Sequence, residues 1–183
     1  GTNENWYSER PAPFVADFCR KAIEAGATAV MGHGPHIMRG VEIHRGHPIY
    51  YSLNSLFMEF ETGEYRMTPE MYEAYGFTRD SLPSHLHRSR VEDMQGNRIG
   101  FYGEPRFSRS GLAVCEVSDA GVGATLVPID IDMNRHRPTQ RGVPAIASPA
   151  VGRAIAQDLT RMSAPYGTRV TYDEGTGRIG FAG

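Results

Sequence analysis

The chain has 183 residues, a length that suits one domain with a core large enough to fold without disulfide or metal staples. Hydrophobic residues make up 40% of it and charged residues 22%, with 19 basic against 21 acidic residues, so the composition excludes a disordered chain and argues against nucleic acid as a partner. No stretch approaches the ~18 consecutive apolar residues of a membrane span, and the first residues lack the basic and then apolar order of a signal peptide.

The first predicted elements are a helix over residues 11–26 and a short buried strand over residues 27–31. Pro13 suits the first turn of the helix, and Gly26 supplies a C-terminal stop. Apolar residues recur at helical spacing along one face, formed by Phe14, Phe18 and Ala22. This order of helix, tight link and strand is typical of an α/β layer, in which ligands gather at the carboxyl ends of strands.

The loop after the strand reads GHGPH over residues 32–36. Because Gly34 can take a positive φ and Pro35 fixes its own φ, the loop can turn His33 and His36 to one side of a rigid backbone. Neutral imidazoles suit first-row metals, but a stable site usually has three or four protein ligands. The spacing alone therefore leaves two interpretations open, a metal site and a structural turn whose histidines cap strands or line a polar pocket.

Three hairpins are predicted from pairs of β-rich runs separated by turn residues. They cover residues 41–44 with 47–53, residues 112–117 with 124–132, and the two arms of residues 168–181. Between the last two hairpins, Ser148 and Pro149 have the pattern of an N-cap and a first-turn proline, and they predict a helix that ends near Ser163. Its apolar face is formed by Val151, Ile155, Leu159 and Met162.

Residues 59–110 are rich in Arg, Tyr, Glu, His and Pro and show weak periodicity. Loops longer than ~15 residues inside a compact domain usually have a function of their own, so we predict an insertion that covers the site. A basic cluster lies within it, formed by His85, His87, Arg88 and Arg90. These side chains either meet a carboxylate-rich or phosphorylated substrate through bidentate guanidinium contacts or remain solvated loop charges.

The run from residue 13 to residue 57, with AGATAVMGHGPHIMRGVEIHRGHPIYYSLNSLF at its centre, resembles the CapA family of poly-γ-glutamate capsule biosynthesis proteins. The matching segments are Ala25-Gly26-Ala27-Thr28, Gly32-His33-Gly34-Pro35-His36, Val41-Glu42-Ile43-His44, Arg45-Gly46 and Tyr51-Ser52-Leu53-Asn54-Ser55-Leu56-Phe57. The family fold is similar to that of calcineurin-like metallophosphatases, so the resemblance implies an α/β fold of four layers in an α/β/β/α sandwich. It also implies divalent metal ions (Mn, Fe, Zn or Mg) held by His33 and His36, which become the expected catalytic residues.

Four further residues are candidates for supporting or substrate contacts. Glu42 either orients a ligating histidine or is a paired strand carboxylate. After Tyr-Ser-Leu the family has Gly-Asn, whereas this chain has Asn54-Ser55. Any role of the family's asparagine is therefore shifted by one position here, to Asn54, or is lost. Arg88 and Arg90 are the candidate contacts to an anionic substrate.

The resemblance implies a metal-dependent hydrolase that acts on a γ-linked or phosphorylated polymer, with an anionic polymer or a small molecule as its substrate. The alternative is a non-catalytic component that binds the polymer or a capsule synthase. Family members are often at the cell surface or associated with membranes, although this chain itself contains no predicted span.

One further expectation comes from the ligand count. Metallophosphatase-like sites resemble a two-metal cluster that uses Asp-x-His, Gly-Asp-x-x-Asp and Gly-Asn-His motifs, and no Asp-x-His, Gly-Asp or Asn-His pair occurs in this chain. Two imidazoles alone leave a metal short of protein ligands. We therefore predict that residues 1–183 form one domain that is the C-terminal half of a longer one. Its partner would be the missing N-terminal half of the same protein or another chain.

Overall fold

The computed structural model of the protein describes residues 4–5, 7–59 and 66–183 and shows a mixed α/β fold with two sheets. The first sheet contains strands β1 (Val30–Met31), β2 (Val41–His44) and β3 (His47–Tyr50) in the order β1-β3-β2. β1 runs parallel to β3, and β2 runs antiparallel to it. Arg45 and Gly46 join β2 to β3 with positive φ angles of 52° and 83°, as a two-residue hairpin turn requires, so the first predicted hairpin is confirmed.

Helix α1 (Pro13–Glu24) packs on the outer face of this sheet, and its predicted position is confirmed. The expected apolar face is not the buried one, because Phe14 and Phe18 are 52% and 70% exposed. Cys19 and Ile23 are buried instead, in a cluster with Ile49 and Tyr51 of the first sheet region. Val15, Cys19 and Ile23 repeat every four residues just as Phe14, Phe18 and Ala22 do, so the spacing alone could not choose between two neighbouring faces.

The second sheet has the order β4-β5-β8-β7, and a short strand, β6, pairs with β5. Its strands are β4 (Arg109–Ser118), β5 (Gly121–Asp130), β6 (Ala145–Ile146), β7 (Arg169–Tyr172) and β8 (Ile179–Ala182). Both predicted hairpins of this region are confirmed, with β4 and β5 longer than expected. The predicted helix is present as α5 (Pro149–Ser163), and the side chain of Ser148 accepts a hydrogen bond from the amide of Val151 at 3.4 Å.

The two sheets share one hydrophobic core with α5. The core residues include Met38, Val41, Tyr50, Leu53, Leu126, Ile155, Leu159 and Ile179. Side-chain hydroxyls also bind the outer edge of β2: Ser163 accepts from the amide of Val41 at 2.9 Å, and Thr168 accepts from the amide of Ile43 at 3.1 Å. This edge of the first sheet is thereby tied to α5 and the segment that follows it. The four-layer metallophosphatase architecture itself stays a prediction.

The described part of residues 59–110 contains three short α-helices, α2 (Pro69–Ala74), α3 (Pro83–Ser89) and α4 (Gly100–Gly103), and a 3₁₀ helix at Pro105–Phe107, while residues 60–65 lie outside the described residues. It is held by a second hydrophobic cluster around the ends of β5, formed by Ile37, Val91, Phe101, Tyr102, Phe107, Ile129, Ile131 and Met133. The segment is therefore packed on the body of the fold, and its role as a cover stays a prediction. In the described ranges, each helix falls short of the length and apolar character that crossing a membrane requires.

Candidate functional site

The candidate site is built around residues 32–36, which we call the histidine loop. Gly32 continues the pairing of β1 with β3, since its amide donates to the carbonyl of Tyr50 at 2.7 Å and its carbonyl accepts from the amide of Leu53 at 3.2 Å. A Cβ atom at Gly32 would lie 2.6 Å from the carbonyl oxygen of Tyr51. Only glycine fits between these main chains, so the loop begins at a fixed distance from the first sheet.

The backbone of the histidine loop has the conformation that the sequence predicts. Gly34 has a φ of +119°, and Pro35 is buried. The hydroxyl of Ser52 donates to the carbonyl of Ile37 at 2.8 Å and lies 3.3 Å from that of Pro35. Because the loop is tied to the segment after β3 on both sides of His36, its two histidines cannot move independently of that segment.

Both histidines are anchored on adjacent residues of the segment after β3. Nδ1 of His33 lies 3.4 Å from the carbonyl oxygen of Asn54, and Nδ1 of His36 lies 3.2 Å from Oγ of Ser55. A carbonyl oxygen can only accept, so Nδ1 of His33 is the donor and the neutral ring has its lone pair on Nε2. Metal-bound imidazoles usually show this arrangement, in which one nitrogen is held by the protein and the other faces the ligand.

His36 is half-buried, whereas His33 is exposed. Burial lowers the pKa of His36, and the positive charge of Arg90 lowers it further. The ring of Phe101 meets the imidazole edge-on, with 5.6 Å between the ring centroids. The neutral imidazole, which is the form that binds metals, is therefore favoured near neutral pH.

Asn54 fixes the segment to which both histidines are bound. It is 3% exposed and has a positive φ of 65°, and its Nδ2 donates to the carbonyl of Arg109 at 2.8 Å. The same Nδ2 lies 3.4 Å from the carbonyls of Arg106 and Phe107, while Oδ1 accepts from the amide of Ser55 at 2.6 Å. In this structure, the Asn54 side chain therefore joins the histidine-bearing segment to the start of β4.

Glu42 lies on the side of the first sheet that faces α1. Its carboxylate accepts from Nε and Nη2 of Arg20 at 2.9 and 3.0 Å and from the hydroxyl of Tyr51 at 2.5 Å. Burial opposes ionisation of Glu42, but the hydrogen bonds from Arg20 and Tyr51 prevail, and its pKa is lowered. Of the two interpretations of Glu42, the contacts match the paired strand carboxylate.

The structure separates the two candidate arginines. Arg88 is exposed and pairs with Glu92 one helical turn away, with 2.9 Å between Nε and Oε2. Arg90 instead lies inward, with Cζ 5.8 Å from the ring centroids of Tyr75 and of Phe101. Arg90 is therefore the member of the predicted basic cluster that the fold brings next to His36.

The ligand set for a metal is incomplete within the described ranges. Residues 4–5, 7–59 and 66–183 contain no group of three or more His, Cys, Asp or Glu side chains arranged to hold a metal ion. The contacts of His33 and His36 through Nδ1 are the arrangement that metal-bound imidazoles usually have, and their assignment as metal ligands stays a prediction. A metal bound there would need its remaining ligands from outside these residues.

Sequence reasoning missed a buried charge that holds the N-terminal segment against the fold. Arg39 is 1% exposed, pairs with the carboxylate of Glu4, and donates to the carbonyls of Asn5 at 2.8 Å and Ser8 at 2.9 Å. The Met-Arg-Gly sequence after the histidine loop gave no signal of this, because arginine in an apolar run is usually solvated.

The fold and the histidine loop define a mixed α/β protein with two imidazoles presented at the end of a strand. Residues 4–58 match the family model described as bacterial capsule synthesis protein PGA_cap. This match confirms the resemblance to the CapA family over those residues. The matched part contains the whole histidine loop, both of its anchors at residues 54 and 55, and Arg39.

Two curated relatives come from Sinorhizobium fredii (strain NBRC 101917 / NGR234), where they are named uncharacterized protein y4sH and uncharacterized protein y4uA. Each is 34% identical to this chain over 181 residues. The similarity covers 96% of this chain and 38% of each relative, so the chain spans less than half the length of the curated relatives that it matches.

Proposed function

We propose that this chain contributes to a capsule synthesis protein that is a metal-dependent hydrolase acting on a γ-linked or phosphorylated polymer. The observation that supports the proposal best is the anchoring of both imidazoles through Nδ1 at residues 54 and 55. This arrangement holds Nδ1 of each ring on the protein, as is usual for metal-bound imidazoles. The family match over residues 4–58 supports the capsule context, in which poly-γ-glutamate or a related polymer is the substrate class.

In this proposal, His33 and His36 hold a divalent metal, with Mn, Fe, Zn and Mg as the candidates. A bound metal supplies Lewis-acid polarisation of a carbonyl or phosphoryl oxygen and a nucleophile from water near neutral pH. Carboxylates from the N-terminal half of the same protein or from another chain complete the ligand set. The residues of this chain orient the two rings, and Phe101 shields one side of His36 from water.

Metal analysis tests the ligand assignment. The protein expressed from its complete gene and purified without chelator is expected to contain a divalent metal that is lost in His33→Ala and His36→Ala. His47→Ala is the matched control, because Nδ1 of His47 is bound to the carbonyl of Thr28, away from the histidine loop. Equal metal content in all four proteins, or no metal in the wild type, would contradict the assignment.

An activity assay tests the reaction class. Cleavage of γ-linked glutamate oligomers, followed by the release of free amino groups, and release of phosphate from a phosphorylated polymer are measured before and after chelation. The proposal expects one of the two activities, lost on chelation and restored by metal. Activity that survives both chelation and His36→Ala would rule out the metal-dependent mechanism.

The alternative is a non-catalytic component that binds the polymer or a capsule synthase. One observation favours it, namely the position of Arg90 among aromatic rings next to the histidine loop, where a guanidinium suits an anionic ligand. If the chelated protein binds the polymer as tightly as the untreated protein, and neither cleaves it, the binding role is correct and the hydrolase role is wrong.

A further inference from the structure

An open pocket of about 350 Å³ lies between the N-terminal segment, the end of α3 and the residues before β4. We call it the arginine pocket, and its lining includes Tyr7, Tyr75, Arg90, Phe101 and Arg106. Two guanidinium groups and two phenols thus surround one open space. Among the described residues, the lining also contains one carboxylate, that of Glu104, beside the two arginines.

Aromatic rings hold both guanidinium groups in place. Cζ of Arg90 lies 5.8 Å from the ring centroids of Tyr75 and Phe101, and Cζ of Arg106 lies 5.0 Å from that of Phe107. A guanidinium stacked on rings keeps a fixed plane, and less side-chain entropy is lost when it binds a ligand. The charges of the pocket are therefore positioned in advance.

The guanidinium group of Arg106 has more N–H donors than its contacts within the chain use. Its Nε lies 2.8 Å from Oε2 of Glu104, and its Nη1 donates to the carbonyl of Tyr7 at 3.3 Å. A guanidinium carries five N–H donors, so these two contacts do not exhaust it. Glu104 orients Arg106 and offsets part of its charge. The remaining N–H donors of Arg106 suit a ligand that has more than one oxygen.

The outer wall of the arginine pocket is fixed by the N-terminal segment. Arg39 binds residues 4, 5 and 8 of that segment, which places Tyr7 against Phe107 with 6.0 Å between the ring centroids. Burial raises the pKa of Tyr7, and the hydrogen-bonded side chain of Tyr75 raises it further. The phenol of Tyr7 therefore remains protonated at neutral pH.

The arginine pocket and the histidine loop share one wall. Phe101 lines the pocket and also contacts His36 edge-on, and the charge of Arg90 acts on His36 strongly enough to lower its pKa. A ligand in the pocket is consequently separated from the imidazole of His36 by about the thickness of one side chain. A polymer that fills the pocket can extend over the histidine loop with its next unit.

We infer that the arginine pocket binds an oxyanion of the substrate, a carboxylate or a phosphoryl group, and positions the adjoining part of the polymer at the histidine loop. This inference rests on the proposed function for the polymer and names the side chains that recognise it. The guanidinium groups of Arg90 and Arg106 supply charge and N–H donors to the oxyanion, and the hydrogen-bonded pair of Tyr7 and Tyr75 adds one hydroxyl donor. Recognition of this kind does not require the metal.

Binding measured in the presence of chelator tests the inference separately from the hydrolase proposal. The probes are a fluorescently labelled γ-linked glutamate pentamer and inorganic phosphate, the latter as a competitor. Arg90→Gln and Arg106→Gln are each expected to weaken pentamer binding by about tenfold, the loss typical of one charged hydrogen-bonding group. Arg88→Gln is the matched control and is expected to change the affinity by less than about twofold, because Arg88 is exposed and pairs with Glu92.

Folding is checked by circular dichroism, since Arg90 also packs on two rings. Arg90→Lys keeps the charge and the stem but loses the paired donors, so it is expected to weaken binding while it leaves the thermal unfolding midpoint nearly unchanged. Competition by phosphate at the affected site shows that the pocket also accepts a phosphoryl oxyanion, and its absence restricts the pocket to carboxylates.

The inference is overturned if the wild type binds neither probe, or if Arg90→Gln and Arg106→Gln bind as Arg88→Gln does. The two proposals fail separately. Binding that depends on these arginines in a protein without metal or activity supports the pocket and rejects the hydrolase. Metal-dependent cleavage with an unchanged KM in both variants supports the hydrolase and rejects the pocket.

Discussion

The histidine loop and the arginine pocket are neighbours that are built in opposite ways. The histidine loop is held by contacts within about twenty residues, through the main chain of Gly32 against β3 and through the carbonyl of Asn54 and the hydroxyl of Ser55 under the two rings. The arginine pocket is assembled by residues from four separate segments, at positions 7, 75, 89–90 and 99–107. A short motif can encode the first arrangement, whereas the second depends on the whole fold.

The difference predicts how each region tolerates change. A loop that is fixed by its backbone is destabilised when an atom is added between two main chains. A pocket that is fixed by side chains is instead disrupted by the loss of a charge or of packing contacts. The four predictions that follow concern the backbone of the histidine loop, its anchor at Asn54, the ion pair of Glu42 and the exposed Arg88, and each is measured through the free energy of unfolding.

The largest effect is expected for Gly32→Ala, with a loss of about 3 kcal/mol in the free energy of unfolding. Its Cβ would lie 2.6 and 2.9 Å from the carbonyl oxygens of Tyr51 and Tyr50, and the Tyr50 carbonyl also accepts the hydrogen bond of the Gly32 amide, which a shift of the backbone would break. Urea unfolding measures the loss. Gly46→Ala is the control, because it has a positive φ of 83° but no atom within 4 Å, and about 1 kcal/mol is expected. Equal losses would show that the close approach at Gly32 is not a constraint.

Asn54→Gly is expected to cost about 2 kcal/mol, because it removes a buried amide that binds several carbonyls while it keeps the positive φ available. Asn54→Ala removes the same amide and adds backbone strain, so about 1 kcal/mol more is expected. Unfolding of both variants in urea separates the loss of the amide contacts from the cost of the backbone strain. Asn54→Gly that is as stable as the wild type would mean that the amide contacts do not hold the loop.

Glu42→Gln is expected to cost about 1 kcal/mol at pH 7, since it weakens the bonds to Arg20 and Tyr51. The pKa of Glu42 is lowered by folding, so its stabilisation is present above the unfolded value near 4.3 and is lost as the pH falls through the folded value. The difference between wild type and variant should therefore shrink below about pH 4.3. Glu24→Gln is the more exposed control. A difference that grows in acid would contradict the direction of the shift.

The smallest effect is expected for Arg88→Gln, a change of no more than about 0.5 kcal/mol, because its pair with Glu92 is largely solvated. Thermal and urea unfolding both check it. A loss above about 1 kcal/mol would mean that Arg88 belongs to the packed side of α3 together with Arg90.

The histidine loop was predictable because its information is local. The backbone conformation of the loop is predicted directly by Gly34, Pro35 and the spacing of the two histidines. The structure shows the expected positive φ at Gly34. The hairpins and α5 were predictable for the same reason, through the Arg45-Gly46 turn and the Ser148 cap.

What sequence reasoning missed depends on contacts between distant residues. Arg88 and Arg90 are indistinguishable as sequence neighbours, and only the fold shows that Arg90 is the one that lies next to the rings of Tyr75 and Phe101. Arg39 looks like a surface arginine until the N-terminal segment covers it. The sequence could not predict which face of α1 is buried, because two adjacent apolar stripes of the helix have the same period.

The long β4–β5 hairpin has a consequence for the order of folding. Its ten paired positions surround a two-residue turn, so the loss of chain entropy on closing it is small and it is expected to form early. The contacts of Asn54 with residues 106–109 join points more than fifty residues apart and are expected to form late. Amide hydrogens of the histidine loop should therefore exchange with solvent faster than those of the hairpin. The part of the molecule that is easiest to recognise in the sequence is thus expected to be among the last to assemble.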